Sequence, residues 1–452
     1  MLGNPPYFNV DASYGANHPV PAYLSQAYPA VYTDKTDIYY YFLAKALALA
    51  KHRVGFIVSR AFLEAEKAQP VRTHLPQRAQ LTELVDFNAF QVFADAGIAT
   101  AIAVFDTTRP HEASTVSVRK LETARVSTAE VAGGLERSSA PFDAFSRPIR
   151  LSGTPWRFPS PAEKRLYDKI DSAGQPLTEL CVLGQGMQTG ANTVFSGFTR
   201  ERIAELGFPE HLVKRRARNS DIAAFYIRDE APNALYLEDV ARYADLPDSV
   251  KSWLELPDNK RKLRGRAAFQ RGDCEWWRYT WPLNRRLYGG PRLISPYRTG
   301  HNRYALDSDF SYVTLTDTTV AFPRADVMED PLYLLGLLNT KLLTFRFRGL
   351  GKLTSSNMWE SFDNSISELP VRRIDFGNEF ERQTHDEVVR VVRDLEESIT
   401  VSVDAASGNE RATARRLVEA LQDELEEIVL DLYGMMDPAD RDETIERGDR
   451  LD

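Results

Sequence analysis

Asn4, Pro5, Pro6 and Tyr7 form one tetrapeptide whose residue types suit a particular piece of chemistry. An asparagine side-chain carbonyl and a proline backbone carbonyl are two hydrogen-bond acceptors, and two consecutive prolines stiffen the backbone that carries them. Acceptors held this way can take both hydrogens of a planar amino group, pulling its nitrogen towards tetrahedral geometry and exposing the lone pair. The exocyclic amine of adenine is conjugated into its ring and is a poor nucleophile, so its alkylation requires such polarisation. Tyr7 adds a flat face on which an extruded base can stack. A plain proline-rich turn is the other reading of these four residues, and the elements around them decide between the two.

Downstream, TDIYYYFLAKALALAK spaces Ile38, Phe42, Leu43, Ala46 and Leu47 along one helical face, with Thr36 or Asp37 as N-cap. The β-branched run at 54–59 predicts a buried strand, and 62–67 a short helix. Residues 84–88 and 99–106 predict two further strands, paired as a hairpin at the sheet edge. This alternation points to an α/β sheet. Residues 107–160 are rich in Ser, Thr, Pro and Gly and read as a linker with weak elements. From 177 to 370 short strands, turns and aromatics mix without a regular helical period. Two amphipathic helices close the chain: one carries Val388, Val391, Val392, Leu395 and Ile399, the other Leu417, Leu421, Leu425, Ile428, Val429 and Leu432. SGN at 407–409 turns one back on the other, and Gly434 takes the C′ position.

NPPY, followed by DIYYYF and VGFIVSRAFL, resembles motif IV and the succeeding elements of the amino-group DNA methyltransferases that use S-adenosylmethionine, in the order of the adenine-specific TaqI type. Ser59 stands where that family usually has a proline. The resemblance implies that Asn4, Pro5, Pro6 and Tyr7 are catalytic, and that Phe42 and Asp37 lie in the cofactor pocket, with Phe42 against the cofactor's adenine ring. From its spacing alone, Phe42 could equally be a core aromatic. FNAFQVFADAGIATAIAVFD resembles motif VIII, in which an aromatic packs on the target base; Phe93 is the best match and Phe90 the second.

CVLGQGMQTGANTVF invites a phosphate-loop reading, but its glycines do not fit GxGxxG. It resembles instead the opening of the TaqI-like target-recognition domain, through Gly186, Thr189, Gly190, Asn192 and Phe195. The stretches 276–307, 333–347 and 365–371 resemble later parts of the same domain. Within them Arg278, Arg285, Arg286, Arg292, Arg298 and Arg303 alternate with Trp276, Trp277, Trp281, Tyr288 and Tyr297. Guanidinium groups reach phosphates or guanine edges, and aromatics buttress them. Lys260, Arg261, Lys262 and Arg264 form a second candidate backbone contact.

Charge is unevenly distributed. The formal net charge is −8, yet residues 200–303 hold 21 Lys and Arg against 14 Asp and Glu, and residues 375–452 hold 9 against 23. A basic middle can track a phosphate backbone although the whole chain is acidic. Cys181 and Cys274 are the only cysteines, which excludes a disulfide framework and favours a reducing cytoplasm. No apolar run of about 18 residues occurs, so no membrane span is expected. The histidines show no zinc-ligand spacing, so no metal site is expected.

The expected architecture is α/β. A truncated Rossmann-like methyltransferase sheet (1–110) and a linker (111–165) precede a mixed α+β target-recognition domain (166–374) and an acidic helical hairpin (375–452). The family's Gly-rich cofactor motif precedes NPPY and is found nowhere in these residues. The sequence therefore reads as a fragment that needs its missing N-terminal half, and a separate chain carrying that half is an expected partner. The expected function is adenine-specific methylation of double-stranded DNA in a restriction-modification or phage-defence system. A DNA-binding specificity module without activity is the alternative. An upstream nuclease would leave this chain unable to cut, and methylation of a protein glutamine would leave the basic aromatic region without a use.

Overall fold

The computed structural model describes all residues except 16–17, 34–35, 94–96, 109–112, 122–125, 138, 229–231, 282–286, 288, 355–357, 362 and 450–452. The chain divides into two compact units, Met1–Arg165 with Lys352–Trp359, and Leu166–Gly351 with Glu360–Arg450.

The first unit is built on six strands, β1 (Leu2–Gly3), β2 (Arg53–Ser59), β3 (Gln80–Asp86), β4 (Thr100–Asp106), β5 (Ala113–Leu121) and β6 (Phe142–Arg150). Their order across the sheet is β1-β2-β4-β3-β5-β6. β1 runs parallel to β2 and β3 parallel to β5, while β4 is antiparallel to both β2 and β3. The carboxyl ends of β1, β2, β3 and β5 therefore gather along one side, where open α/β sheets place their ligands. Helix α1 (Ile38–Leu49) buries Tyr39, Tyr40, Tyr41, Leu43 and Leu47 in a core shared with Val54, Phe56 and Val58 of β2 and Phe105 of β4. Helix α2 (Gln69–Arg78) is not legible from periodicity, because Pro70 stands in its first turn and Pro76 interrupts it. The buried Arg72 guanidinium anchors it by donating to the carbonyls of Phe62 (3.0 Å), Ala65 (2.7 Å) and Gly153 (3.0 Å).

Two expectations are corrected. The strands at 80–86 and 100–106 pair antiparallel, but β4 sits inside the sheet between β2 and β3, not at its edge. Residues 111–165 are not a linker, since β5 and β6 extend the same sheet in continuous register from Ala113↔Arg150 to Leu121↔Phe142. Their polar composition belongs to one solvated face. Val116 and Val118 recur at the spacing of a strand with one buried side, and Leu121 at its end turns to a separate apolar cluster on the other face. Between β5 and β6 lies helix α3 (Thr128–Arg137).

The second unit contains β7 (Cys181–Gln185), β8 (Ser196–Phe198), β9 (Val213–Ala217), β10 (Ile222–Ala223), β11 (Tyr226–Ile227), β12 (Asn233–Leu235), helix α4 (Pro257–Arg264), β13 (Arg292–Pro296), β14 (Ala305–Asp307), β15 (Tyr312–Thr314) and β16 (Thr318–Pro323). Two four-stranded sheets run β15-β9-β12-β8 and β14-β13-β16-β7, beside the small hairpin β10–β11. Gly186 is required where the chain leaves β7. A Cβ there would stand 2.0 Å from the Leu315 carbonyl oxygen, a backbone atom that cannot swing away.

Helices α5 (Pro331–Leu338), α6 (Lys341–Leu350), α7 (Glu379–Asp404), α8 (Gly408–Leu432) and α9 (Pro438–Asp449) complete this unit. The long pair forms the expected hairpin, with Asn378 capping α7 and Ser407 capping α8 through its hydroxyl. Gly434, at φ +68°, follows α8 in the left-handed conformation a C′ residue adopts. α9 is a third helix that the charged sequence conceals. Among the described residues no helix is long and apolar enough to cross a membrane.

Candidate active site and nucleic-acid interface

β1 delivers Asn4 to the carboxyl side of the sheet, through the register Gly3↔Phe56 with β2. Asn4 and Pro6 are exposed, Pro5 is buried and Tyr7 is half-buried. The Tyr7 hydroxyl donates to Asn4 Oδ1, with the Ile57 carbonyl at 3.0 Å as its other acceptor. One hydroxyl hydrogen serves only one of them at a time. Burial pushes the Tyr7 phenol up to about 12, so it stays a donor across the neutral range. The residues after the loop are tied to the start of α1. Val10 N–H donates to the Thr36 carbonyl (2.9 Å) and Ile38 N–H to that of Phe8 (3.0 Å).

The two candidate base-stacking aromatics separate cleanly. Phe90 lies in an apolar cluster with Val85, Phe87, Leu121, Val131 and Phe142. Phe93 stands beside Tyr7, ring centroids 6.4 Å apart and planes inclined by 40°. Tyr7 also meets Tyr39 edge-on at 6.2 Å. The structure thus brings Asn4, Pro5, Tyr7 and Phe93 into one place.

Phe42 does not behave as a core aromatic. It is 46% exposed, while its neighbours Tyr39, Tyr40, Tyr41 and Leu43 are all buried. Asp37 occupies the N-cap position of α1 but makes no capping hydrogen bond. Burial raises its carboxyl pKa, partly offset by Lys352. A polar group kept half-buried without the usual capping bond suits a hydroxyl-rich ligand beside an exposed ring, so both residues fit a nucleoside.

The sequence reading missed a charged network beneath the loop. Arg60, directly after β2, is clamped by Asp86 at the end of β3 (Nε to Oδ1 3.0 Å, Nη2 to Oδ2 3.1 Å) and by Glu64 (3.1 Å). Asp86 also accepts from Asn88 N–H (2.9 Å), which holds Asn88 at φ +55° where the chain turns towards Phe93. Nearby, Lys120 at the end of β5 pairs with Glu163 (2.9 Å). The available signal was positional for Arg60, Asp86 and Lys120, each of which stands at or just past the end of a strand. Ser59 accepts from Ala61 N–H (3.3 Å) and starts the short helical turn that follows.

In the second unit the arginine–aromatic alternation largely serves the fold. Trp277 is 1% exposed in the core, its indole N–H donating to Glu275, so it cannot reach a duplex. Arg292 is fully buried, with Nε and Nη2 on Asp307 Oδ2 (2.9 and 2.8 Å) and further bonds to the carbonyls of Leu287 and Tyr312. Both calls are therefore corrected: these side chains were assigned to DNA but belong to the interior. Arg278 turns inward, stacked on Trp277 and donating to the carbonyls of Val240 and Ala241. Arg303 is half-buried on Ile222 and Thr299. Arg298 keeps an exposed side chain, paired with Glu360 at 3.0 Å. Arg285 and Arg286 lie outside the described residues.

The α4 cluster remains at the surface. Arg261 and Asp258 form an exposed pair, and Lys262 donates to Thr193 Oγ1 (3.2 Å). Lys260 and Arg264 lie over the Trp276 ring at 5.8 and 5.2 Å. Gly186, Thr189, Gly190 and Asn192 form a turn. Thr189 Oγ1 accepts from Ala191 N–H (3.1 Å), and the buried Arg266 ties the turn to the 275–280 segment.

Residues 1–93 match the sequence profile of the Eco57I restriction-modification methylase family. The chain is 21% identical over 392 residues to the Type II methyltransferase M.HindII of Haemophilus influenzae, covering 79% of this chain and 71% of that protein. It is 30% identical over 93 residues to the Type II methyltransferase M.HincII of the same species, covering 20% of this chain and 18% of that one. Its fold is similar to that of the Type IIL restriction-modification enzyme MmeI, solved in complex with DNA. The TM-score is 0.64 at 11% identity, and this chain spans 57% of the MmeI chain.

Proposed function

We propose that this chain carries the base-handling and DNA-reading parts of an adenine-specific DNA methyltransferase of a restriction-modification or phage-defence system. The observation that carries the reading is the convergence of Asn4, Pro5, Tyr7 and Phe93, from two separate parts of the chain, at the carboxyl ends of parallel strands. Aromatic rings that stack have centroids within about 4.5–7 Å of one another, so two rings this close can bracket an extruded base once they part to admit it. Tyr7 and Phe93, 6.4 Å apart and inclined by 40°, would have to open and level to take the base between them. Stacking of this kind contributes ~1–3 kcal/mol per base, comparable to the cost of unstacking it from the duplex.

In this reading the extruded adenine lies between Tyr7 and Phe93, and its amine donates to Asn4 Oδ1 and the Pro5 carbonyl. The amine displaces the Tyr7 hydroxyl from Asn4 onto the Ile57 carbonyl, which is already within reach at 3.0 Å. S-Adenosylmethionine supplies an electrophilic methyl group when bound. Phe42 offers a face to its adenine ring and Asp37 a carboxylate to its polar groups. A Gly-rich cofactor loop does not occur in this sequence, and a separate chain carrying that half of the catalytic domain is the proposed partner. Double-stranded DNA is contacted by Lys260, Arg261, Lys262, Arg264 and Arg298. The free thiols of Cys181 and Cys274 suit a reducing cytoplasm.

Transfer of radiolabelled methyl from S-adenosylmethionine to duplex DNA tests this, with and without a complementing chain that carries the Gly-rich half. Transfer that Asn4→Ala abolishes while DNA binding persists supports the reading. DNA binding with no transfer under either condition leaves a specificity module without activity. Transfer that survives Asn4→Ala overturns the assignment.

A further inference from the structure

The second unit holds a group of cations that the proposal above leaves unused, apart from the single expectation for Arg303. The hairpin β10–β11 pairs Ile222 with Ile227, and Arg228 follows directly. The 297–304 segment lies against this hairpin. Phe225 N–H donates to the Tyr304 carbonyl (2.8 Å), and Arg303 Nη1 donates to the Ile222 carbonyl (3.1 Å). Arg303 Nε is held on Thr299 Oγ1 (3.2 Å), and the Thr299 hydroxyl donates to the His301 carbonyl. Arg348 closes the loop from α6, its Nε on the Gly300 carbonyl at 2.8 Å.

The guanidinium of Arg303 is thus fixed in place by two neutral acceptors, while its Nη2 makes no hydrogen bond among the described residues. Among the described residues no carboxylate pairs with Arg303 or with Arg228. The carboxylate on the same hairpin, Asp221, is already taken by Arg218 (2.8 and 2.7 Å). Burial and the neighbouring Arg228 lower the Arg303 pKa, and partial desolvation together with the Arg303 and Arg348 charges lowers that of the solvent-accessible His301, which favours its neutral form. Half-burying an arginine beside another, with no counter-charge among the described residues, costs stability. An anion supplied from outside removes that cost.

We propose that Arg228, His301 and Arg303 form a phosphate-binding site that takes a backbone phosphodiester of DNA. Arg303 is the preset fork, Arg228 the exposed second cation, and neutral His301 a single ring donor. Arg228 and His301 are exposed and only Arg303 is half-buried, so the site is shallow. A shallow site suits a phosphate that arrives as part of a long polymer, better than a small anion that must be enclosed to be held. The inference rests on the DNA-binding reading above.

The test measures duplex affinity of the full chain by fluorescence anisotropy between about 50 and about 200 mM salt. In parallel, the ³¹P linewidth of inorganic phosphate is followed with the same protein. Arg228→Gln is the primary variant, since an exposed side chain can be changed without disturbing the fold; Arg303→Gln is the second, and Arg242→Gln, exposed elsewhere, is the control. The proposal expects the log–log salt slope to fall by about 1 for each of the two variants and not for the control. Unchanged slopes overturn it. Phosphate broadening that is lost in Arg228→Gln while the DNA slope stays unchanged assigns the site to a free anion and overturns the diester. If the wild-type chain binds no duplex, the DNA reading itself has failed. In that case phosphate broadening lost in Arg228→Gln upholds the cation cluster, and its absence overturns it.

Discussion

Replacing Arg292 by leucine separates a fold-supporting arginine from a DNA-reading one. Arg292 and Asp307 have side chains with 0% and 1% of their surface accessible, and the guanidinium also serves the carbonyls of Leu287 and Tyr312. Arg292→Leu strands the Asp307 carboxylate in the interior. Removing one member of a buried pair costs about 3–5 kcal/mol, because the remaining charge is left without compensation. At about 2–4 °C per kcal/mol for a unit of this size, the midpoint of thermal unfolding falls by roughly 6–20 °C. Tryptophan fluorescence follows the transition. The double variant Arg292→Met/Asp307→Asn removes both charges and recovers most of the loss. A single variant that unfolds with the wild type but binds DNA more weakly would refute the reasoning and return Arg292 to the interface.

Further outcomes follow from the same geometry. Neutralising Lys260, Arg261, Lys262 and Arg264 together weakens duplex binding and lowers the salt slope by roughly 2–4, the lower figure allowing for the pairs with Glu255 and Asp258; an unchanged slope removes α4 from the interface. Tyr7→Phe keeps the stacking face and Tyr7→Ala deletes it, so fluorescence of 2-aminopurine at the target position rises with the first and not with the second. Glu426 is buried against the N-terminus of α6, accepting from Lys341 N–H (2.7 Å) and Leu342 N–H (3.0 Å), and burial pushes its carboxyl up to about 7. The folded state therefore binds the proton more tightly than the unfolded one, and stability falls as pH rises from about 4.5 through about 7. Glu426→Gln flattens that slope in urea titrations, and a slope identical to wild type contradicts the buried carboxyl's role.

The elements that sequence reads well are those whose pattern and packing agree. The strand at 53–59 and the paired helices at 379–404 and 408–432 carry uninterrupted periods, and Gly434 marks its stop through the one backbone conformation that favours it. Elements whose signal lies in long-range pairing were not legible. β5 and β6 look like linker until they are laid side by side, and α2 hides behind Pro70 and Pro76. The site divides in the same way. The NPPY tetrapeptide is local and legible as a run of residues, and the ranking of Phe93 ahead of Phe90 agrees with the ring that lies beside Tyr7. Arg292 and Trp277 were misjudged because composition does not reveal which way a side chain points. An arginine buried on Asp307 and one facing a duplex are written with the same letter.

The most direct test of the base-handling claim is the identity of the methylated base. DNA from cells expressing this chain together with the proposed complementing chain is digested to nucleosides and analysed by mass spectrometry. N6-methyladenine that disappears with Asn4→Ala is the predicted result. A methyl group on cytosine C5, which has no amine to grip, or a product indifferent to Asn4, would contradict it.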